Sequence, residues 1–263
     1  MDLKLKGKKA VITAGASGIG RAIAEGLARE GVDIFIVDFN EALGKKVTGE
    51  LEKKYNIKAL SIKTDLSKSD RYSGLFNQIK NDFGGIDILI NNVGIASREK
   101  IEDANDEEWQ FSWNLNVMAA VRMARGLTPI MRQRGGGAII NIASTYGKQP
   151  MDENPIYCVT KAALVMFSKC LANEVVVDNI RVNCINPGYT LTPPMKKYNE
   201  YLAEKLGINE NEVIRQILKD VPVGRFASPE EIANIVVFLC SPLASYCVGS
   251  TYFVDGGWLR SIM

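Results

Sequence analysis

Histidine is absent from the 263-residue sequence. It is the commonest zinc-binding side chain and the usual proton carrier near neutral pH. Zinc sites built on histidine and histidine-based acid–base catalysis are therefore excluded, and we predict no metal site. Any acid or base in this protein must be a Tyr, Lys, Cys, Asp or Glu side chain.

Cysteine is scarce and unpatterned. The five cysteines are an odd number, contain no C-x-x-C pair and lie mostly within apolar segments. These features are typical of reduced thiols that pack in a protein core.

Long runs of like charge and long apolar runs are also missing. The 32 basic and 30 acidic residues are spread along the chain and leave a net charge of +2, so we expect no nucleic-acid partner. No segment approaches the roughly 18 apolar residues that span a bilayer, and the N-terminus lacks a signal-peptide segment. We expect a cytoplasmic protein that has no membrane partner.

Apolar segments with strand character alternate with helical patterns along the whole chain. Segments that are apolar on both faces indicate a parallel sheet covered by helices on both sides. We therefore predict one α/β domain over residues 1–263, doubly wound, with about seven parallel strands. The strand segments are KAVITA, VDIFIVD, IKALSIKT, GIDILINN, GAIINIAS, NIRVNCIN and STYFVD.

Residues 191–224 form a polar, helix-prone insertion between the sixth strand and the last helix. Open α/β sheets bind ligands beyond the carboxyl ends of their strands, which favours a substrate lid here. A solvated surface excursion is the alternative.

A glycine-rich turn joins the first strand to the first helix. Gly15, Gly18 and Gly20 have the spacing G-x-x-G-x-G, which lets the backbone approach a pyrophosphate held by the N–H groups of the following helix. Asp38 ends the second strand, where a carboxylate can accept hydrogen bonds from the adenosine ribose hydroxyls. An ordinary tight turn and a solvated aspartate are the alternatives.

Ser144 precedes Tyr157 by thirteen residues, and Lys161 follows Tyr157 by four. Positions i and i+4 share a helix face, so the phenol and the ammonium should project into the same space. An ammonium about 6 Å away favours phenolate by about 3 kcal/mol, which would lower the tyrosine pKa from about 10 to about 8. Ser144 would then hold a substrate oxygen against this acid–base group. A core serine, a packed tyrosine and a snorkelling lysine are the alternative.

Further motifs follow in a fixed order from about residue 8 to residue 258. They comprise T-x-x-x-x-G-I-G (residues 13–20), Asp65, N-N-x-G (residues 91–94), Asn116, Ser144, Tyr157-x-x-x-Lys161 and Pro187-Gly188 with Thr192. Together they resemble the short-chain dehydrogenase/reductase family, whose fold is a Rossmann domain. The length and the C-terminal segment resemble its 3-oxoacyl-[acyl-carrier-protein] reductases, although many sugar, polyol, steroid and hydroxy-acid dehydrogenases share that segment.

The resemblance assigns catalysis to Asn116, Ser144, Tyr157 and Lys161. It implies that Lys161 also binds the nicotinamide ribose and that Asn116 holds a water in the proton path. The predicted cofactor-binding residues are Thr13, Gly15, Ser17, Gly18, Ile19, Gly20, Asp38, Phe39, Asp65, Leu66, Asn92, Val93, Gly94, Tyr157, Lys161, Pro187, Gly188, Thr190 and Thr192.

Two residues depart from the family pattern. Ala14 replaces the glycine that follows the threonine, and we expect Gly15 to absorb the change. Val93 stands where alanine is usual.

The residues around Asp38 predict NAD as the cofactor. Ser17 and Phe39 occupy positions where family members that use NADP tend to carry basic residues. The Asp38 carboxylate would repel a 2′-phosphate.

The expected reaction interconverts a secondary alcohol and a ketone, and the substrate is a small molecule. Alternatives are a 3-oxoacyl-thioester reductase that uses NADPH and a non-catalytic NAD(H)-binding sensor or scaffold. The predicted pocket rim comprises Ile95, Arg98, Lys148, Gln149, Tyr189 and the insertion.

Cys158 adjoins Tyr157 but is turned about 100° away from it on a helix, which favours packing over thiol chemistry. Trp109, Trp113, Met118 and Met123 are interpreted as a helix-packing surface. By resemblance, this helix and the Tyr157 helix pair across a dimer interface, so we expect a homo-oligomer, either a tetramer or a dimer.

Overall fold

The computed structural model describes residues 1–96, 99–150 and 154–260. Its seven strands form one parallel sheet in the order β3-β2-β1-β4-β5-β6-β7. The prediction of a seven-stranded parallel sheet is confirmed. The strands are β1 (Lys9–Thr13), β2 (Asp33–Asp38), β3 (Ala59–Lys63), β4 (Ile88–Asn91), β5 (Gly137–Ile142), β6 (Ile180–Pro187) and β7 (Thr251–Val254).

Helices cover both faces of this sheet. They are α1 (Gly18–Arg29), α2 (Glu41–Tyr55), α3 (Tyr72–Asn81), α4 (Asp106–Trp113), α5 (Ala119–Gln133), α6 (Pro155–Val175), α7 (Pro193–Leu206), α8 (Glu210–Leu218) and α9 (Pro229–Cys240). One apolar core packs α1, α2 and α9 against the sheet, and a second packs α3, α5 and α6. The doubly wound architecture is confirmed, because strands apolar on both faces need helices on both sides.

The ends of two helices follow from local sequence. Helix α1 ends at Arg29, and Gly31 beyond it adopts φ +75°, a left-handed conformation that glycine reaches without a Cβ penalty. Helix α6 begins at Pro155, where the missing N–H costs no helical hydrogen bond.

The strand order reverses beside β1, whose neighbours are β2 and β4. Chain segments leave the carboxyl edge in opposite directions there, which opens a crevice where ligands bind in folds of this kind. The Thr13 hydroxyl joins the two sides of the crevice. It accepts hydrogen bonds from the N–H groups of Asn92 and Val93 at 2.9 and 3.0 Å.

Helix α6 and the turn after it, Pro155–Asp178, reach a mean hydropathy of 1.3 over a window long enough to span a bilayer. The expectation that no segment qualifies is wrong on length and composition. A single such helix is weak evidence for a membrane span, and 44% of that window is buried inside the fold. The helix packs against β6, and Leu164, Leu171 and Ala172 on it are buried in the cores.

Helices α7 and α8 occupy residues 193–218, within the predicted insertion. Pro193 and Pro194 start α7, and the Thr192 hydroxyl accepts a hydrogen bond from the Met195 N–H to cap it. The insertion is therefore an ordered helical pair that follows the carboxyl end of β6.

Candidate active site

Three chain segments supply the predicted catalytic residues. Ser144 follows β5, whereas Tyr157 and Lys161 lie one turn apart on α6. Asn116 lies in a π-helical turn, Asn114–Met118, between α4 and α5. Such turns are rare and occur frequently at functional sites.

Lys161 is a buried cation, with 3% of its surface exposed. Its Nζ donates a hydrogen bond of 2.9 Å to the Ile142 carbonyl and lies 5.5 Å from the centroid of the Tyr157 ring. Burial lowers the pKa of Lys161 to about 8. Desolvation therefore disfavours the ammonium form of this lysine.

Tyr157 titrates differently from the sequence-based prediction. Its burial raises the pKa of the phenol, while a hydrogen bond with Ser144 acts in the opposite direction. The predicted lowering of the Tyr157 pKa by Lys161 is wrong for the protein alone. The physical reason is that both groups are desolvated, and the ammonium lies toward the ring and the Ile142 carbonyl.

The Asn116 amide holds the loop after β4 against α6. Its Oδ1 accepts a hydrogen bond from the Ile95 N–H at 2.8 Å, and its Nδ2 donates to the Ile95 carbonyl and to the Thr160 hydroxyl. A Cβ at Gly94 would lie 3.0 Å from Lys161 Nζ and 3.2 Å from Asn116 Oδ1. Glycine at this position therefore allows the loop to approach both residues.

In the glycine-rich turn, Ala14 itself takes the left-handed conformation, with φ +50°. The expectation that Gly15 absorbs the change is wrong, since Gly15 is not among the residues with positive φ. A Cβ at Gly20 would overlap the Ala14 carbonyl, so this helix can approach the strand only with glycine there. The Asn92 amide donates to the Thr13 and Ala14 carbonyls, both at 3.1 Å, and so fixes the turn.

Asp38 braces the same turn. Its Oδ2 accepts a hydrogen bond from the Ala16 N–H at 3.0 Å, and its Oδ1 accepts one from the Asn40 N–H at 2.9 Å. Beside it, Phe39 is exposed, with Lys63 Nζ 5.9 Å from its ring centroid. The sequence did not reveal this bracing role, because it depends on a contact across 22 residues.

The predicted residues after β3 lie near Phe39. Hydrogen bonds from the Ser67 hydroxyl and N–H lower the pKa of Asp65, and Leu66 is buried. Phe39 and Asp65 line a cavity of about 690 Å³ that also has basic walls from Lys63 and Arg71.

A second cavity, of about 410 Å³, brings the catalytic and cofactor predictions together. Among the predicted site residues it is lined by Ile19, Asn92, Gly94, Ser144, Tyr157, Lys161, Pro187, Gly188, Thr190 and Thr192. The predicted insertion contributes to the wall as expected, through Pro194, Met195, Tyr198 and Ile217. The sequence analysis missed the remaining lining residues, which are Ala96, Ile142, Ala143, Thr145, Tyr146 and Asn154. Their spacing carries no motif, because separate elements bring them together. We call this space the active-site cavity.

The predicted pocket rim is only partly correct. Tyr189 lines the active-site cavity, whereas Ile95, Lys148 and Gln149 are not among the described residues that do. The Ile95 backbone is tied to Asn116, and the Ile95 side chain is exposed, as is Lys148. Arg98 lies outside the described residues.

The site fits a nicotinamide dinucleotide. Ser17 precedes α1 without a side-chain hydrogen bond to the helix, so the N–H groups of its first turn are available to a pyrophosphate. At Gly188, a Cβ would lie 2.7 Å from Asp255 Cα, so a larger residue at this position in the cavity wall would clash with the backbone of Asp255. In the part of the chain that the structure describes, no cluster of three His, Cys, Asp or Glu side chains suits a metal ion.

Comparisons with known proteins agree with this geometry. The family model described as enoyl-(acyl carrier protein) reductase matches residues 13–259. The structure of L-sorbose reductase from Gluconobacter frateurii, solved with NADPH and L-sorbose, is 50% identical, covers 100% of both chains and superposes with a TM-score of 0.97.

Two curated relatives have different activities. The 3-oxoacyl-[acyl-carrier-protein] reductase of Aquifex aeolicus is 34% identical over 98% of this chain and 99% of its own. The D-β-hydroxybutyrate dehydrogenase of Cupriavidus necator is 35% identical over 97% and 99%. The chain is an oxidoreductase that acts on CH–OH groups with a nicotinamide cofactor. It belongs to the short-chain dehydrogenase/reductase family.

Proposed function

We propose that this protein is an NAD(H)-dependent oxidoreductase that interconverts a secondary alcohol and a ketone in a small polyhydroxy compound, such as a ketose and its alditol. The observation that carries the proposal is the active-site cavity, into which Ser144, Tyr157 and Lys161 open beside the residues of the glycine-rich turn. A cavity of this kind brings a substrate carbon and a dinucleotide into contact.

The bound cofactor supplies or accepts the hydride. Tyr157 donates the proton to the substrate oxygen in reduction and removes it in oxidation, and Ser144 holds that oxygen by a hydrogen bond. Lys161 lies one turn after Tyr157 on the same helix face, where it would hold the nicotinamide ribose of the bound cofactor.

The substrate class is argued from the cavity wall and the 50% identical relative. The Tyr146 hydroxyl donates a hydrogen bond of 2.7 Å to the Tyr189 hydroxyl, and both residues line the cavity. Trp258 packs behind the pair, with its ring centroid 5.4 Å from that of Tyr146. Phenol groups on a rigid aromatic support suit a ligand that has both hydroxyls and C–H faces. L-Sorbose, the ligand of the relative, is such a compound.

The cofactor proposal rests on Asp38. A 2′-phosphate at the end of β2 would meet a carboxylate, and the adjacent residue is Phe39 rather than an arginine. The relative that binds L-sorbose was solved with NADPH, and Lys63 lies next to Phe39. Lys63 lies over the Phe39 ring, whereas the Asp38 carboxylate contacts the glycine-rich turn through the Ala16 N–H. Repulsion between this carboxylate and a 2′-phosphate therefore favours NAD(H).

A 3-oxoacyl-thioester reductase that uses NADPH is the second candidate, which the Aquifex aeolicus relative favours. A non-catalytic NAD(H)-binding sensor or scaffold is the third. The thioester reductase would turn over a different substrate, and the sensor or scaffold would turn over none. One panel of compounds therefore separates the three candidates. We also propose a homo-oligomer and a cytoplasmic location.

The test measures reduction of L-sorbose, D-fructose and an acetoacetyl thioester, and oxidation of alditols, with NAD(H) and NADP(H). We expect the highest kcat/KM for a ketose and alditol pair. Tyr157→Phe should reduce kcat by two to four orders of magnitude with little change in NADH affinity, because it removes only the transferable proton. Tyr246→Phe, at an exposed phenol, is the matched control. Turnover of the thioester alone, or of no compound, would contradict the proposal.

A further inference from the structure

Asn154 is a buried polar residue in the wall of the active-site cavity that no role described above uses. It is 1% exposed, and its Oδ1 has no hydrogen-bond partner among the described residues. A buried acceptor without a partner is destabilising, because it has lost its hydrogen bonds to water without replacement. Such a group in a native protein therefore calls for a functional or structural reason.

Helix capping does not supply that reason. Asn154 is the residue immediately before α6, where asparagine side chains commonly accept a hydrogen bond from the first turn. Here the side chain makes no capping hydrogen bond, and only the Asn154 backbone carbonyl accepts one, from the Cys158 N–H at 3.1 Å. The amide is therefore unengaged by the helix that it precedes.

Asn154 precedes Tyr157 in the cavity wall, on the other side of it in the chain from Lys161. Tyr157 and Lys161 share a face of α6, and Asn154 is the N-cap residue before that helix. All three residues line the active-site cavity. Lys161 faces the cofactor in the proposed function, which leaves the Asn154 side of the wall to the part of the substrate that extends past its reacting carbon.

Other unpartnered buried polar atoms do not compete for this role. Those in the described part of the chain belong to Asn91, Arg122, Thr128, Asn186 and Asn199, and none of these residues lines the active-site cavity. The nearby Tyr146 hydroxyl already donates to Tyr189. Among the described residues that line the cavity, Asn154 is therefore the one whose buried side-chain acceptor lacks a donor.

We propose that Asn154 is a specificity-determining residue whose Oδ1 accepts a hydrogen bond from the substrate hydroxyl on the carbon next to the reacting one. The ligand class is an α-hydroxy ketone in reduction and a vicinal diol in oxidation. This inference rests on the proposed function and sharpens it. A site built to bind a hydroxyl discriminates strongly against a compound that lacks it, because the buried acceptor is then left unpaired.

The test compares 1-hydroxybutan-2-one with butan-2-one, which differ by that single hydroxyl. We expect the wild-type protein to favour the hydroxy ketone by at least tenfold in kcat/KM. Asn154→Leu should lower kcat/KM for the hydroxy ketone by about ten- to a hundredfold and leave butan-2-one nearly unchanged. Asn154→Asp, which keeps an acceptor, should retain the preference. Asn81→Leu, at an exposed asparagine, is the control.

A binding measurement separates this inference from the proposed function. The rise in melting temperature caused by butane-1,2-diol and by butan-2-ol is measured for each variant in the presence of NADH. We expect the diol to stabilise the wild-type protein more than the mono-alcohol does, and Asn154→Leu to remove the difference, whether or not turnover occurs. Equal responses of the wild-type protein to both alcohols, or equal losses for both ketones in Asn154→Leu, would overturn the assignment of Asn154.

Discussion

Lys161 and Tyr157 are both removed from water, and burial opposes the charged form of each. The pKa of the lysine falls to about 8, and that of the phenol rises. Near neutral pH the phenol therefore keeps its proton in the protein alone, so the pair is not a phenolate with an ammonium. The hydrogen bond with Ser144 lowers the phenol pKa. A substrate oxygen held by Ser144 would compete with the Tyr157 phenol for the Ser144 hydroxyl.

The lowered lysine pKa has a consequence for stability. In the unfolded chain Lys161 holds its proton up to about pH 10.5, whereas in the folded protein it releases it above about pH 8. Between these values the unfolded state binds more protons, so stability rises with pH. The destabilisation caused by burying the Lys161 ammonium is fully present below about pH 8 and is lost by about pH 10.5. The lowering corresponds to about 3 kcal/mol.

We therefore predict how Lys161→Met changes the pH dependence of unfolding. The variant lacks the buried ammonium, so its stability relative to the wild-type protein should fall by up to about 3 kcal/mol between pH 7 and pH 10.5. Denaturant unfolding of both proteins across this range measures the difference. Lys205→Met, on the exposed side of α7, serves as control. A difference that is independent of pH would show that Lys161 titrates normally.

A second prediction at this scale concerns cofactor choice. The Asp38 carboxylate should disfavour NADP(H) by roughly a hundredfold or more in kcat/KM, because like charges in a partly desolvated site cost several kcal/mol. Asp38→Ser with Phe39→Arg should shift the preference toward NADP(H). Asp38→Ser alone separates the removed repulsion from the added attraction, and the Ala16 N–H loses its partner in both variants. Equal efficiency of the unmodified protein with both cofactors would contradict the role given to Asp38.

At the scale of elements, the sequence predicted what depends on local pattern. The central strands were recognisable because they are apolar on both faces, and Tyr157 and Lys161 share a face because they are four residues apart. By contrast, the left-handed Ala14, the bracing of the turn by Asp38 and the unpaired Asn154 depend on contacts between distant segments. Propensity and periodicity contain no signal for such contacts.

The helical pair α7–α8 contributes both packing and cavity wall. Val213 and Leu218 are buried in the fold, so replacing the whole segment would remove core as well as lid. Met195 and Tyr198 from α7 and Ile217 from α8 line the active-site cavity. Single substitutions at these positions separate the two contributions.

We predict that Ile217→Ala enlarges the substrate side of the cavity. The KM for a ketose should rise several-fold while the dissociation constant for NADH stays the same, because Ile217 lies on α8, which carries none of the predicted cofactor residues. Gln216→Ala, one residue away and exposed, is the control. Steady-state kinetics and NADH fluorescence titration provide the two readouts. Parallel weakening of NADH and ketose binding would instead place Ile217 against the cofactor.

For the whole molecule, the surface pattern bears on assembly. Phe111 and Trp113 on α4 and Val159 and Met166 on α6 are large apolar residues that remain 37–65% exposed. Val159 and Met166 are seven residues apart and so lie on one face of α6. Helices α4 and α6 also contact each other, which places these side chains within one region of the surface. A second copy of the chain is the partner that the family resemblance implies for this pair of helices.

We predict that the protein is a homodimer or homotetramer in solution and that Val159→Glu with Met166→Glu divides it into smaller species. Charges placed in a desolvated apolar interface would lose hydration without gaining a partner, so association should weaken strongly. Light scattering coupled to size-exclusion chromatography measures the mass of each form. Tyr201→Glu, at an apolar residue of α7 that is 54% exposed, is the matched control and should leave the mass unchanged. The apolar face of α4 and α6 would not be the interface if the wild-type protein were a monomer at micromolar concentration. The same would follow if Val159→Glu with Met166→Glu kept the wild-type mass.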